Sequence, residues 1–333
     1  MERAENLPKS GVPLRKLAFC FLLVLPLTSW AQSTTCPSAL DYDHTASLEI
    51  TETGVNRRGR VAIDDISYAS PKGGRVPAYL VMPDGKGPFA AVIWGHWYWS
   101  NSEFRNRREF LEEAVVLAHS GVVSLLTDGP VARPGHVDEK DPLSEQVQTE
   151  LIQAIIDMRR GADLLLARKD VDPKRLAYVG HSYNATVGGF LSGCDHRFKA
   201  FVLMAGGLSD EVDKRSKEFQ QFRQSVGPEK FDAFQAKYSW LDAGKFTPHA
   251  APATVFLQYA TQEDFLTPER AHAYAAIVSE PKQFKLYDAP HALNAEARRD
   301  RIAFLVERLS LKPAPSPAQI AAIPDLPQPP SPQ

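Results

Sequence analysis

Cysteine is scarce. Three residues in 333 are too few for a disulfide-built mini-domain and, with no C-x-x-C, give no thiolate metal site. An excess of one charge is also lacking: 38 Lys and Arg face 40 Asp and Glu, a formal net charge of −2. The chain therefore has no basic footprint for nucleic acid. No apolar run reaches the roughly 18 residues that a stable membrane-spanning anchor needs. No repeat period or heptad run recurs, which excludes a solenoid or coiled coil. H-E-x-x-H, an acidic calcium loop and glycine-rich nucleotide loops are missing too, so no metal and no cofactor is expected. What is present is 44% hydrophobic and 23% charged residues, the composition of an ordered chain with a sizeable core.

The two ends read as something other than fold. Arg15 and Lys16 precede the apolar run 17–27 and then Thr28-Ser29-Trp30-Ala31. A basic flank, a short apolar stretch containing Pro26 and small residues at −3 and −1 predict a signal peptide over 1–31, hence a secreted or periplasmic protein. Residues 312–333 hold eight prolines, which predicts a disordered, extended tail. Residues 32–311 remain for the domain, with two cysteines, Cys36 and Cys194. In an oxidising compartment these either pair or stay as unrelated thiols, and the sequence leaves both open.

Between the ends, strand patterns at 60–69, 76–82, 89–94, 122–127, 175–179, 199–204, 254–259 and 284–287 are interleaved with helical patterns. The helices are expected at 104–120, 145–169, 183–191, 269–278 and 295–311. This alternation predicts an α/β fold, a mostly parallel doubly wound sheet of about eight strands with helices on both faces. Residues 209–247 interrupt it with a helical, aromatic insertion, expected to act as a cap. There Phe219 and Phe222, and Phe231 and Phe234, each share a helix face at i, i+3. Residues 129–143 form a long loop rich in Pro, Gly and charge, a length more often functional than accidental.

The strongest chemical signal is Gly180-His181-Ser182-Tyr183-Asn184, set between a strand and a helix. That is the setting of a nucleophile elbow, G-x-S-x-G, in which a tight turn lifts the serine hydroxyl clear of the backbone. Gly180 fits the pattern, whereas Asn184 stands where glycine is usual. A serine needs a base, and the base an orienting carboxylate. His291, after the strand at 284–287, and Asp264, after the strand at 254–259, lie at strand C-terminal ends, where open α/β sheets place ligands. The expected triad is Ser182, Asp264 and His291. The N–H of Tyr183 is one expected oxyanion donor. The second comes from Gly95-His96-Trp97-Tyr98-Trp99, through Trp97 or Tyr98. The rings of this loop, with Trp99 foremost, and His181 are expected to line the substrate pocket.

With these motifs the chain resembles the α/β-hydrolases, and within them the dienelactone-hydrolase-like esterases. Val171-Asp172-Pro173-Lys174-Arg175 before the elbow, Asp264-Phe265-Leu266-Thr267-Pro268 and the late His291 carry the likeness, which covers about 74–311. The resemblance implies an α/β-hydrolase fold, Ser182 as nucleophile, Asp264 as acid and His291 as base. Serine in place of the cysteine of true dienelactone hydrolases points to the esterase-like relatives. The expected activity is cleavage of small-molecule carboxylic esters through an acyl-enzyme. A peptidase or amidase using the same triad, and a non-catalytic binding protein of the same fold, are the alternatives. The oligomeric state is not legible.

Overall fold

The apolar run after Pro88 forms β4 (Phe89–Gly95), and all seven of its residues are buried. A strand with no exposed face belongs in the middle of a sheet covered on both sides. The computed structural model puts it there. The model describes residues 36–327 apart from 100, 101, 142, 208, 215, 264 and 265. The expected signal peptide lies outside these residues.

Nine strands form the sheet, in the order β1-β2-β3-β5-β4-β6-β7-β8-β9. They are β1 (Thr51–Arg58), β2 (Val61–Ala69), β3 (Arg75–Met82), β4, β5 (Val122–Thr127), β6 (Val171–His181), β7 (Ala200–Met204), β8 (Thr254–Ala260) and β9 (Lys282–Tyr287). Strands β4 to β9 are parallel, and β1, β2 and β3 join antiparallel at one edge. Three helices cover one face: α2 (Glu145–Leu166), α3 (Tyr183–Cys194) and α7 (Pro268–Ile277). The other face packs on α1 (Leu111–Ala118) and α8 (Ala295–Arg308). Alternate residues of each central strand feed the two cores: Ile93 and Tyr178 point one way, Val92, Trp94, Ala177 and Val179 the other.

The insertion at 209–247 forms three helices, α4 (Asp210–Asp213), α5 (Lys217–Val226) and α6 (Pro228–Tyr238). Phe219 and Phe222 of α5 both meet the buried Phe231 of α6, at 5.3 and 5.9 Å between ring centres. Lys230 reaches Asp141 at 2.8 Å and Lys237 pairs with Glu145, so α6 is fastened to the chain leading into α2. Cys36 and Cys194 are joined as a disulfide with Cα atoms 5.0 Å apart, across a separation of 158 residues.

Two expectations need correction, and the sheet of about eight strands gains one more at its edge. The sheet has nine strands, because β1 also pairs. All eight of its residues are exposed, so it carries no apolar alternation to read. The helix expected at 104–120 begins only at Leu111. Ser102 Oγ, Asp128 Oδ1 and Asn106 Oδ1 accept the N–H groups of Phe104, Arg107 and Arg108, offering that backbone an alternative to helical bonds. The chain end is not disordered through its described part. Residues 317–321 form α9 (Pro317–Ala321), started by a capping box between Ser316 and Gln319. Pro317 sits in its first turn, where a missing N–H costs nothing. Ile323 is 6% exposed in the core shared with α1 and α8. Arg298 donates to the Pro324 carbonyl at 3.2 Å and pairs with Asp325 at 2.9 Å.

Candidate active site

Ser182 is the residue between β6 and α3, at φ 53°, ψ −111°. A non-glycine residue held there stores about 1–3 kcal/mol of strain. Its neighbours are cut to fit. A Cβ on Gly180 would lie 2.2 Å from the Asn184 carbonyl oxygen, and one on Gly206 2.1 Å from that of Ser182. Ser182 N–H donates to the Met204 carbonyl at 2.7 Å, which ties the turn to the end of β7. The N–H of Tyr183, at the first position of α3, has no intrahelical partner by geometry.

Asn184 keeps its place through Gly95. A Cβ on Gly95 would come within 2.5 Å of the Asn184 Cβ, so the side chain occupies space that glycine leaves open on β4. Asn184 is fully buried, and its Nδ2 donates to the His96 carbonyl at 2.6 Å. The amide absent from the usual elbow pattern thus straps the elbow to the loop after β4. His96 completes the strap. Gly129 N–H donates to its Nε2 at 2.9 Å, and its Nδ1 donates to the Trp97 carbonyl at 2.6 Å. Those partners fix one neutral tautomer, and burial holds the His96 pKa at about 4.

His291 follows β9 and is buried. Its Nδ1 lies 3.0 Å from Oε1 of Glu263, whose side chain is 2% exposed. The rings of Trp97, Trp99 and His181 surround it at 6.2, 5.4 and 5.1 Å. Burial lowers its pKa, and the Glu263 carboxylate opposes the shift. Among the described residues the carboxylate against His291 is that of Glu263, the residue before Asp264. Asp264 lies outside the described residues.

The oxyanion expectations divide. Trp97 N–H is not available, since it donates to Glu109 Oε2 at 2.6 Å, and the Trp97 ring is fully buried, so it does not line a pocket. Among the described residues no acceptor meets the N–H of Tyr98 or of Tyr183. Tyr98 is held from its far end, where its hydroxyl donates to Asp138 at 2.8 Å. Asp138 belongs to the long loop 129–143, which Arg133 anchors to Asp157 and His136 to Glu150. Trp99 is partly exposed beside His291, as a pocket wall would be. His181 is not: it is fully buried with both ring nitrogens engaged, Nδ1 by Glu109 at 2.6 Å and Nε2 by the His291 carbonyl at 2.9 Å.

Glu109 is the residue that the sequence reading passed over. With Glu113 it lies at i, i+4 beside the apolar stripe of Phe110 and Ala114, and both carboxylates are buried. That spacing, an acid on the inner face, was its one signal. Glu113 is neutralised by Arg301. A cleft of about 330 Å³ runs from Glu109 past Arg301 to Ile323 and Pro324, away from Ser182. Among the described residues no three His, Cys, Asp or Glu side chains are grouped to hold a metal, and no helix is long and apolar enough to cross a membrane.

No protein-family profile and no curated protein matches the chain. Solved structures do. Acetyl Xylan Esterase 1 from Thermoanaerobacterium sp. JW/SL YS485 superposes with a TM-score of 0.64 at 16% identity, covering 82% of this chain and 94% of that one. The acetyl xylan esterase from Paenibacillus sp. R4 gives 0.63 at 17%, covering 79% and 90%. The alpha/beta hydrolase GrgF from Penicillium sp. sh18 gives 0.53 at 14%, covering 74% and 99%. With its elbow at the end of β6 and its mostly parallel nine-stranded sheet, the chain has the α/β-hydrolase fold.

Proposed function

We propose that this protein is a serine hydrolase of carboxylic esters. The observation that carries the reading is Ser182 at φ 53°, ψ −111°, at the end of a strand whose last residue, His181, bonds the backbone of His291. His291 in turn faces a buried carboxylate. In this reading His291 takes the Ser182 proton as the hydroxyl oxygen attacks the ester carbonyl. Glu263 orients the imidazole and stabilises its charged form. The N–H groups of Tyr183 and Tyr98 receive the oxyanion. The C–O bond to the alcohol breaks, the alcohol leaves with the proton from His291, and an acyl-Ser182 remains. Water, deprotonated by His291, then releases the carboxylic acid.

Trp99 stands beside the His291 ring, and two of the similar structures are named acetyl xylan esterases. Short acyl groups, including acetylated sugars, are therefore the first substrates to try. The dienelactone-hydrolase-like branch and export by residues 1–31 belong to the same reading. The motif 171–175 bears weakly on the branch, because Asp172 accepts from Lys174 N–H and Arg175, bracing the start of β6 rather than the site.

The test is labelling by a fluorophosphonate alongside hydrolysis of p-nitrophenyl acetate. Ser182→Ala should abolish both. Glu263→Ala should cut kcat by about 10³–10⁴-fold, the usual cost of losing the orienting acid, and Asp264→Ala should leave it near wild type. Equal labelling of wild type and Ser182→Ala sinks the reading. The reverse ranking of the two acid variants returns the acid role to Asp264.

A further inference from the structure

Glu109 touches both halves of the site and has no step in the chemistry above. Its Oε2 accepts the Trp97 N–H, and its Oε1 lies 2.6 Å from His181 Nδ1. His181 Nε2 meets the His291 carbonyl. A carbonyl only accepts, so Nε2 carries the hydrogen, and in a neutral ring Nδ1 is then a lone pair. The hydrogen between Oε1 and Nδ1 therefore comes from Glu109 in its acid form. Burial favours the same arrangement, pushing Glu109 well above the ordinary carboxyl range and holding His181 at about 4. The guanidinium whose charge acts on Glu109, that of Arg301, is committed to Glu113.

The sheet supplies no direct bond between these parts. Trp97 follows β4 and His291 follows β9, with β6, β7 and β8 between them. We propose that Glu109, acting through His181, is a positioning residue that locks the oxyanion loop after β4 to the loop carrying the base His291. The proposal rests on reading Ser182 and His291 as nucleophile and base. A displacement of about 1 Å in such a site costs on the order of 100-fold in rate, and this chain of bonds spans the distance over which the slip would occur.

Two variants test it. Glu109→Gln keeps both contacts, donating an amide N–H to His181 Nδ1 and accepting from Trp97, so kcat for p-nitrophenyl acetate should stay within about threefold of wild type. Glu109→Met fills similar space and keeps neither contact. Its kcat should fall about 100-fold with KM moved by less than about threefold, and fluorophosphonate labelling should slow in parallel. Circular dichroism melts establish that both fold. Equal kcat in the two variants, whether both high or both low, overturns the proposal. If Glu109→Met does not fold, His181→Phe serves instead: it keeps the ring packing on Trp97 and His291, loses both bonds, and overturns the proposal if its kcat is that of wild type. Ser182→Ala separates the two readings, since turnover by that variant rejects the nucleophile whatever the Glu109 variants do.

Discussion

His291 sits where two effects oppose each other, and the balance decides the working pH. Burial among Trp97, Trp99 and His181 disfavours the charged ring, the carboxylate of Glu263 favours it, and burial prevails, so the pKa falls below the ordinary 6.5. The base that the proposed mechanism makes of His291 works in its neutral form, so a lowered pKa extends that activity toward acid. The acid limb of kcat/KM should have its midpoint below 6.5. In Glu263→Gln the residual activity should show that midpoint lower still, because the group that raised it is gone. A pH–rate profile of both proteins checks this, and a midpoint above 6.5 in wild type contradicts it. The same residue marks a limit of sequence reading. Ser182 and His291 could be singled out as candidates because each stands at a strand end with a distinctive side chain. Glu263 and Asp264 are adjacent carboxylates, and only the path of the loop after β8 decides which one faces the ring. Trp97 and His181 were misjudged because a residue of a loop or turn beside the site can still point into the core, as both do.

Elements with an apolar period were legible and those without one were not. β4 is an uninterrupted apolar run and β5 a mostly apolar one, both buried on every residue, and α2 follows Ser144, whose side chain accepts from Val147 N–H. β1 offers nothing to read because no residue of it is buried. The C-terminal segment misled through composition. Its prolines suggested disorder, yet Pro317 opens a helical turn, and Ile320 and Ile323 pack on the core. Truncation after residue 311 should therefore weaken the fold. Burial of Ile323 alone accounts for about 1.5–3 kcal/mol, and the partners of Arg298 are lost with it. Urea unfolding of the truncated and full chains measures the difference, and coincident midpoints would mean that α9 contributes nothing.

At the scale of the whole molecule, the Cys36–Cys194 bond fastens the chain ahead of β1 to the end of α3, the helix that starts after Ser182. Closing so long a loop restricts the unfolded chain by about 4–5 kcal/mol. Dithiothreitol should lower the melting temperature of wild type to that of Cys36→Ser and leave the variant unmoved. A wild type indifferent to reductant contradicts this. One further consequence concerns descent rather than stability. Gly95, on strand β4, and Asn184, on helix α3, share a single space, so residue 95 is not at liberty to grow by itself. A lineage that enlarges residue 95 must first have shrunk residue 184 to glycine, and one that reverts 184 gives up its hold on the His96 carbonyl. Among relatives the two positions should change as a pair and in that order, a historical signature of the elbow written on a strand that carries no catalytic group.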